Sequence, residues 1–511
     1  VFRSSYKGQG YDVVDYFSIN PALGTAQELQ HLITTAKNLE MRVLFDLVLN
    51  HTSIQHPYAQ DRILHGENSH YSDYYQTEND GTAYSEHYNR DANGFYYYFW
   101  EDLVNLNYDN EEVQRWMLEV CKHWIQIYDI DGYRFDAIWG VNARNPSFAR
   151  RMRTELKSLK PEFLLLAEDK GSDPEVYALG FDAAFDWAAG RGWVSQWSWE
   201  YEYSATESKT IFNNPNTQVR GGLLKGALFQ NKDIAFRKLR FLENNDVHRF
   251  IQTHGLERTI MAASLLFAVP GIPMLYNGQE IGFRQHPYVT NAVFFKNTSI
   301  ESLDQEGLFY HYQKLIQLKN QYPALRDTTF NEVSVAPQEA IVAFHRWHGT
   351  KNFIVVINLN DNAADANINL SGIISGQSAT EDLWLHDVLT ENIFSVNVGN
   401  SQASIPMEGY SVRWLLLNDE GTITSTEDHV EKDKFGVFPN PSNGTMVMNF
   451  PDSSFNNLKI LDVTGRIVFE EILELNSTIR NIEVQLPSKI YFLQIGNEKE
   501  IIAKRIIINN N

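Results

Sequence analysis

The chain has 511 residues, 43 Lys+Arg against 64 Asp+Glu for a formal net charge of −21, a single cysteine, and 13% aromatic residues. At roughly 100–200 residues per domain this length suggests about three units. The negative charge excludes a sequence-independent grip on nucleic-acid phosphates or anionic lipid, and one cysteine excludes an internal disulfide framework.

From residue 26 to 327, short apolar runs alternate with helical patterns, which is the signature of βα units on a parallel sheet. The strands expected are 42–48, 132–137, 163–167, 181–185, 239–242 and 272–276, six where a closed parallel barrel has eight. Between them, 112–128 places Val113, Trp116, Met117, Val120, Trp124 and Ile127 at helical spacing, with Cys121 read as small buried filler. Residues 52–104 are rich in Tyr, His, Asn and Asp, lack a clean period and end in the aromatic run 95–100, so they read as an inserted subdomain. The apolar stretch 260–276 is split by Ser264, Pro270, Gly271 and Pro273, which argues against a membrane span. From 328 to 417 short alternating strands predict an antiparallel β-sandwich, 418–434 is polar and acidic and reads as a linker, and 435–511 is again strand and turn.

Among 64 acidic residues only position discriminates. Asp46, Asp136, Glu168 and Asp246 each fall at or just past the C-terminal end of an expected strand, where a parallel barrel gathers its active site. Glycosidic cleavage needs one carboxylic acid to protonate the leaving oxygen and one carboxylate on the other face of the sugar, roughly 5 Å apart in a retaining enzyme. Arg134 shares its strand face with Asp136, and its guanidinium is expected to lower the Asp136 pKa and keep that group an anion. His51 and His56 lack a third ligand at the usual spacing, so a zinc site is not expected.

The segments DLVLNH (46–51), GYRFDA (132–137), LLLAED (164–169) and FLENND (241–246), in this order, resemble the conserved regions of the α-amylase family of glycoside hydrolases. GYDVVDYFSINPALGT (10–25), LVNLNYDNEEV (103–113) and GIPMLYNGQEIG (271–282) resemble further stretches of the same family, so the likeness covers residues 1 to about 417. It implies a (β/α)8 barrel with the first two strands missing, built from 1–51 and 105–327, the inserted subdomain 52–104 and a β-sandwich at 328–417. It further implies Asp136 as nucleophile, Glu168 as general acid/base and Asp246 as the carboxylate that holds the distorted sugar, with Tyr11, His51 and Arg134 binding the same ring. The implied reaction is retaining hydrolysis of internal α-1,4 bonds in a starch or glycogen-type glucan. Neopullulanase, α-glucosidase or transglycosylase action stands as the alternative, and a non-catalytic glucan-binding protein ranks behind these.

Two positions depart from the family pattern. Asn245 stands where the family has His, and retains one hydrogen bond to a sugar hydroxyl, so affinity or pH dependence is expected to change. Ile138-Trp139 stands where classical members carry Lys-His. Asn50 matches one calcium-binding position of the family, and calcium is left open there; the chemistry itself requires no cofactor. The segments 435–444, 458–468, 489–495 and 504–510 resemble the C-terminal sorting domain of proteins exported by type IX secretion, which implies that machinery as a partner and a secreted or cell-surface location. A barrel lacking two of its eight strands leaves two unpaired edges, and Val1 to Ser5 show neither an initiator Met nor a signal peptide, so the chain reads as a fragment, expected to be insoluble or inactive when expressed alone.

Overall fold

The computed structural model describes residues 2–4, 10–186, 210–229, 231–287, 300–304, 306–375 and 383–418, and, nearer the C-terminus, 436–438, 444–449, 457–461, 466–472, 479–487, 489–496 and 501–508. Residues 1–417, apart from 380–383, make one compact unit, and 418–511 with 380–383 a second.

The first unit is organised on six strands: β1 (Leu44–Val48), β2 (Gly132–Asp136), β3 (Leu164–Ala167), β4 (Ala183–Phe185), β5 (Lys238–Arg240) and β6 (Ile272–Pro273). They lie side by side in chain order in one parallel sheet. All six expected strands are present, most of them shorter than their apolar runs because the flanking residues turn away to enter loops. Parallel neighbours require long crossovers, supplied here by helices such as Glu111–Tyr128, Pro146–Leu159 and Phe250–Ala268. The first of these starts on Asn110, whose side chain accepts from Glu112 N–H, and buries Val113, Met117, Val120, Cys121 and Trp124 along one stripe. Ile127 falls outside that stripe and is exposed. The register pairs Asp46 with Arg134 and Val48 with Asp136 across β1 and β2, so side chains of both strands reach one face.

The interval 52–104 forms short pieces: helix Pro57–His65, an antiparallel pair of His51–Ser53 with Leu103–Asn105, and another of Asn89–Arg90 with Tyr96–Tyr97. Within the aromatic run, Phe95 and Tyr98 are buried, while Phe99 and Trp100 are 38% and 46% exposed, so only part of the run is core.

Beyond the parallel sheet, Ile341–His348, Lys351–Asn358 and Ser411–Asn418 form antiparallel pairs, and Ala364–Asn369 pairs with Gln402–Met407 in a second sheet. Val342, Phe344 and Trp414 share one core with Phe267 of helix Phe250–Ala268 and Leu315 of helix Leu308–Gln321. Arg346 is fully buried at this junction and donates to three carbonyls: Nε to Thr329 O at 2.7 Å, Nη1 to Ala268 O at 2.6 Å and Nη2 to Asp327 O at 2.5 Å. Ala268 closes the helix, where a cation also meets the negative end of the helix dipole. Arg346→Ala should therefore strand one buried and two part-buried acceptors and lower stability by about 2–4 kcal/mol, read as a fall in the urea midpoint at unchanged slope.

In the second unit, Thr445–Asn449 pairs with Gly436–Phe438 and Ile479–Glu483, and a four-stranded sheet runs in the order Ile467–Ile472, Asn457–Leu461, Lys489–Gly496, Ile501–Ile508. Its core contains Met446, Met448, Leu458, Ile460, Leu493 and Ile506. The linker expected at 418–434 lies, beyond Asn418, outside the described residues, as do the turn signals at 439–443 and 464–465. Among the described residues no helix is long and apolar enough to cross a membrane.

Candidate active site

The C-terminal ends of β1, β2 and β3 converge on one guanidinium. Arg134 Nη1 lies 2.7 Å from Asp46 Oδ1 and 2.7 Å from Asp136 Oδ1, and its Nη2 lies 3.0 Å from Glu168 Oε1. The first two contacts are hydrogen bonds, whereas the third is an ion pair without hydrogen-bond alignment. Three carboxyl groups from three neighbouring strands are thus gathered within the width of one side chain. Arg134, Asp136 and Glu168 are all buried, and Asp46 is more open.

The backbone turns sharply at this point. Ala137, directly after Asp136, adopts a left-handed conformation at φ 44°, which costs an L-residue about 1–2 kcal/mol. That turn aims the Ala137 N–H at Glu168 Oε2, 2.6 Å away. Glu168 itself extends β3 by one step, its N–H donating to Phe135 O. Local strain at β2 is therefore exchanged for a fixed orientation of the Glu168 carboxyl.

Electrostatics here differ from the sequence expectation. Asp136 is pushed up from the ordinary 3.8 to about 7, first by burial, with Asp46 and Asp246 adding repulsion and Arg134 opposing. The expectation that Arg134 would depress it is corrected: one cation divided among several carboxyl groups does not offset the loss of water around them. Glu168 is raised well above the usual carboxyl range, again first by burial, with Arg134 opposing and Asp136 and Asp246 adding to the rise.

Tyr11, which precedes the strand Val13–Ile19, donates from Oη to Asp46 Oδ2 at 3.0 Å, with its ring 5.7 Å from the Arg134 guanidinium carbon. Asn245 Nδ2 donates to Tyr11 Oη at 3.3 Å and to Asp246 Oδ1 at 3.0 Å, so the β5 loop reaches the same cluster. His51 is 1% exposed, with Nε2 at 3.2 Å from Tyr11 O and Nδ1 at 3.1 Å from Asn50 Nδ2. Burial lowers its pKa to about 4, so it is neutral at physiological pH and both ring nitrogens are engaged by protein groups. Every site residue expected from sequence lies in this one neighbourhood.

The sequence reading missed Arg144. Its Nη2 donates to Asn50 Oδ1 at 2.8 Å and to Asn50 O at 3.2 Å. Both oxygens by which Asn50 would serve a metal are given to a guanidinium, and calcium takes six to eight oxygens. The residues present at Asn50 therefore do not fit calcium. Arg144 is 94 residues from Asn50, and nothing in the spacing announces the contact.

Two buried carboxyl groups on neighbouring strand ends, sharing one guanidinium, are the arrangement of a two-carboxylate glycoside hydrolase. Residues 1–294 match the alpha amylase catalytic domain, and 436–509 match the secretion system C-terminal sorting domain. The chain belongs to the alpha-amylase family. It is 26% identical over 393 residues to alpha-amylase 3 of Dictyoglomus thermophilum, covering 69% of this chain and 74% of that one. It is 27% identical over 428 residues to alpha-amylase MalA of Haloarcula japonica, covering 81% of this chain and 55% of that one. The chain thus spans about three quarters of the first relative and little more than half of the second. In fold it is similar to a noncanonic maltogenic alpha-amylase, AmyB, from Thermotoga neapolitana, with a TM-score of 0.61 at 21% identity over 81% of this chain and 86% of that chain.

Proposed function

We propose that the protein is a retaining hydrolase of internal α-1,4-glucosidic bonds in starch or glycogen-type glucans. The observation that carries the reading is the single guanidinium of Arg134 in contact with both Asp136 and Glu168, which gathers around one side chain the two carboxyl groups that glycosidic cleavage needs. Asp136, once ionised, attacks the anomeric carbon and forms a glycosyl-enzyme ester as the glycosidic bond breaks. Glu168, protonated because it is buried, gives its proton to the departing oxygen and then takes one from the water that cleaves the ester. Asp246 holds hydroxyls of the distorted sugar, Tyr11 stacks beneath it, and His51 and Asn245 fix Tyr11 while Arg134 balances charge.

On this reading the six-stranded parallel sheet with its helices is a (β/α)8-type catalytic barrel formed from 1–51 and 105–327, with 52–104 its inserted subdomain, 328–417 the β-sandwich, 418–434 a linker and 435–511 a type IX sorting domain. The protein is then secreted or displayed at the cell surface. Soluble starch incubated with the protein should yield a ladder of maltooligosaccharides by chromatography, and the same turnover by residues 1–511 expressed alone would overturn the expectation that they are inactive. Glucose as the sole product would instead favour exo-action, and transfer products at high oligosaccharide concentration a transglycosylase.

A further inference from the structure

Arg144 ends the helix Ile138–Arg144, which begins two residues past Asp136, so the chain leaves the site and returns a guanidinium to its floor. Besides its two bonds to Asn50, Nη1 lies 3.3 Å from Tyr98 Oη and the guanidinium carbon 5.7 Å from that ring. The approach is close: a Cβ on Gly140, one turn earlier, would stand 2.6 Å from Asn50 Oδ1 and 2.9 Å from the Tyr98 ring. Only glycine fits there.

A guanidinium only donates, so it sets the Asn50 amide with oxygen toward Arg144 and nitrogen away. The Asn50 Nδ2 hydrogens then go to Asn105 Oδ1 at 3.3 Å and to His51 Nδ1. With Nδ1 accepting, the neutral imidazole carries its proton on Nε2 and donates it to Tyr11 O. Every link from Arg144 through Asn50 and His51 to Tyr11 points the same way, and such a chain polarises each of its bonds.

We propose that Arg144 is a positioning residue which takes the place of a metal ion at Asn50 and, through Asn50 and His51, anchors the Tyr11 backbone carbonyl and so the side chain that meets Asp46 and Arg134. The part of this concerning turnover rests on the functional reading above; the part concerning the cation does not. A fixed positive charge with both Asn50 oxygens already bound removes the site a divalent ion would use.

The cation part is tested without substrate. The full chain, stripped with EDTA and titrated with CaCl2 to about 5 mM, beyond the weakest calcium sites of extracellular proteins, should keep the same thermal midpoint. A midpoint that rises with calcium overturns the proposal. For turnover, Arg144→Ala should lower kcat/KM by about 10–100-fold, the usual range for a group that orients a site residue. Guanidinium chloride at non-denaturing concentration should restore part of the loss, and NaCl at equal ionic strength should not. Unchanged turnover, or equal restoration by both salts, overturns the positioning role. Should the variant not fold, the calcium titration of the parent still decides the cation part. A parent that leaves starch intact counts against the hydrolase reading and leaves the titration result standing.

Discussion

Asp136→Asn should reduce kcat on starch by several orders of magnitude, because an amide cannot form the glycosyl ester and the remaining groups act only as a unit with it. Steady-state rates on starch check this, and a variant with parental turnover removes Asp136 from the mechanism. On the proposed mechanism the same group sets the acidic side of the pH profile. With Asp136 pushed up to about 7, kcat/KM of the parent should climb toward neutral pH rather than level off near pH 4. Because Asp136 and Glu168 repel one another, the limbs of the profile belong to the pair.

A stability consequence follows with the opposite sign. The folded-state pKa of Asp136 lies above its ordinary value of 3.8, so between about pH 4 and 7 the native protein binds more protons than the unfolded chain. Stability from this group is fully present below the unfolded value and is lost as pH rises through the folded one. Asn carries no such linkage. The difference in unfolding free energy between Asp136→Asn and parent, read from urea titrations, should therefore shift in favour of the variant from pH 4.5 to 8, by on the order of a few kcal/mol at most. A difference that stays flat across that range would show that the ionised carboxylate is not strained in its pocket.

Glu168→Gln should cost about 10²–10⁴ in rate on starch, the range general acid–base catalysis supplies. The loss should be much smaller for formation of the glycosyl ester from an α-glucoside with a good leaving group such as a nitrophenolate, since such a group departs without a proton. Comparing burst amplitude with steady state separates the two steps, because ester hydrolysis still lacks its base. Equal losses on both substrates would indicate damaged geometry, for Gln also changes what the Ala137 N–H and Arg134 meet.

The amino-acid pattern carried the parallel sheet because strand and helix periods differ and alternate along the chain, and it carried the four carboxylates because each stands late in, or just after, an apolar run of strand period. Asp46, Arg134 and Asp136 share one sheet face by the period of two and the β1–β2 register, so their meeting was legible once strands were placed. Boundaries were less legible: β6 is the pair Ile272–Pro273 and not a five-residue run, since an apolar run does not say where the chain turns away from its neighbour.

The sequence by itself determined the six strands and their order, the carboxyl groups at their ends, and the sorting segment that follows. Only the tertiary structure decided how those groups ionise, because desolvation depends on what surrounds a carboxyl in space and a neighbouring arginine in the chain does not reveal how many others share it. It likewise decided the cation at Asn50: Arg144 reaches it from 94 residues away by helix placement, a contact that no local pattern encodes.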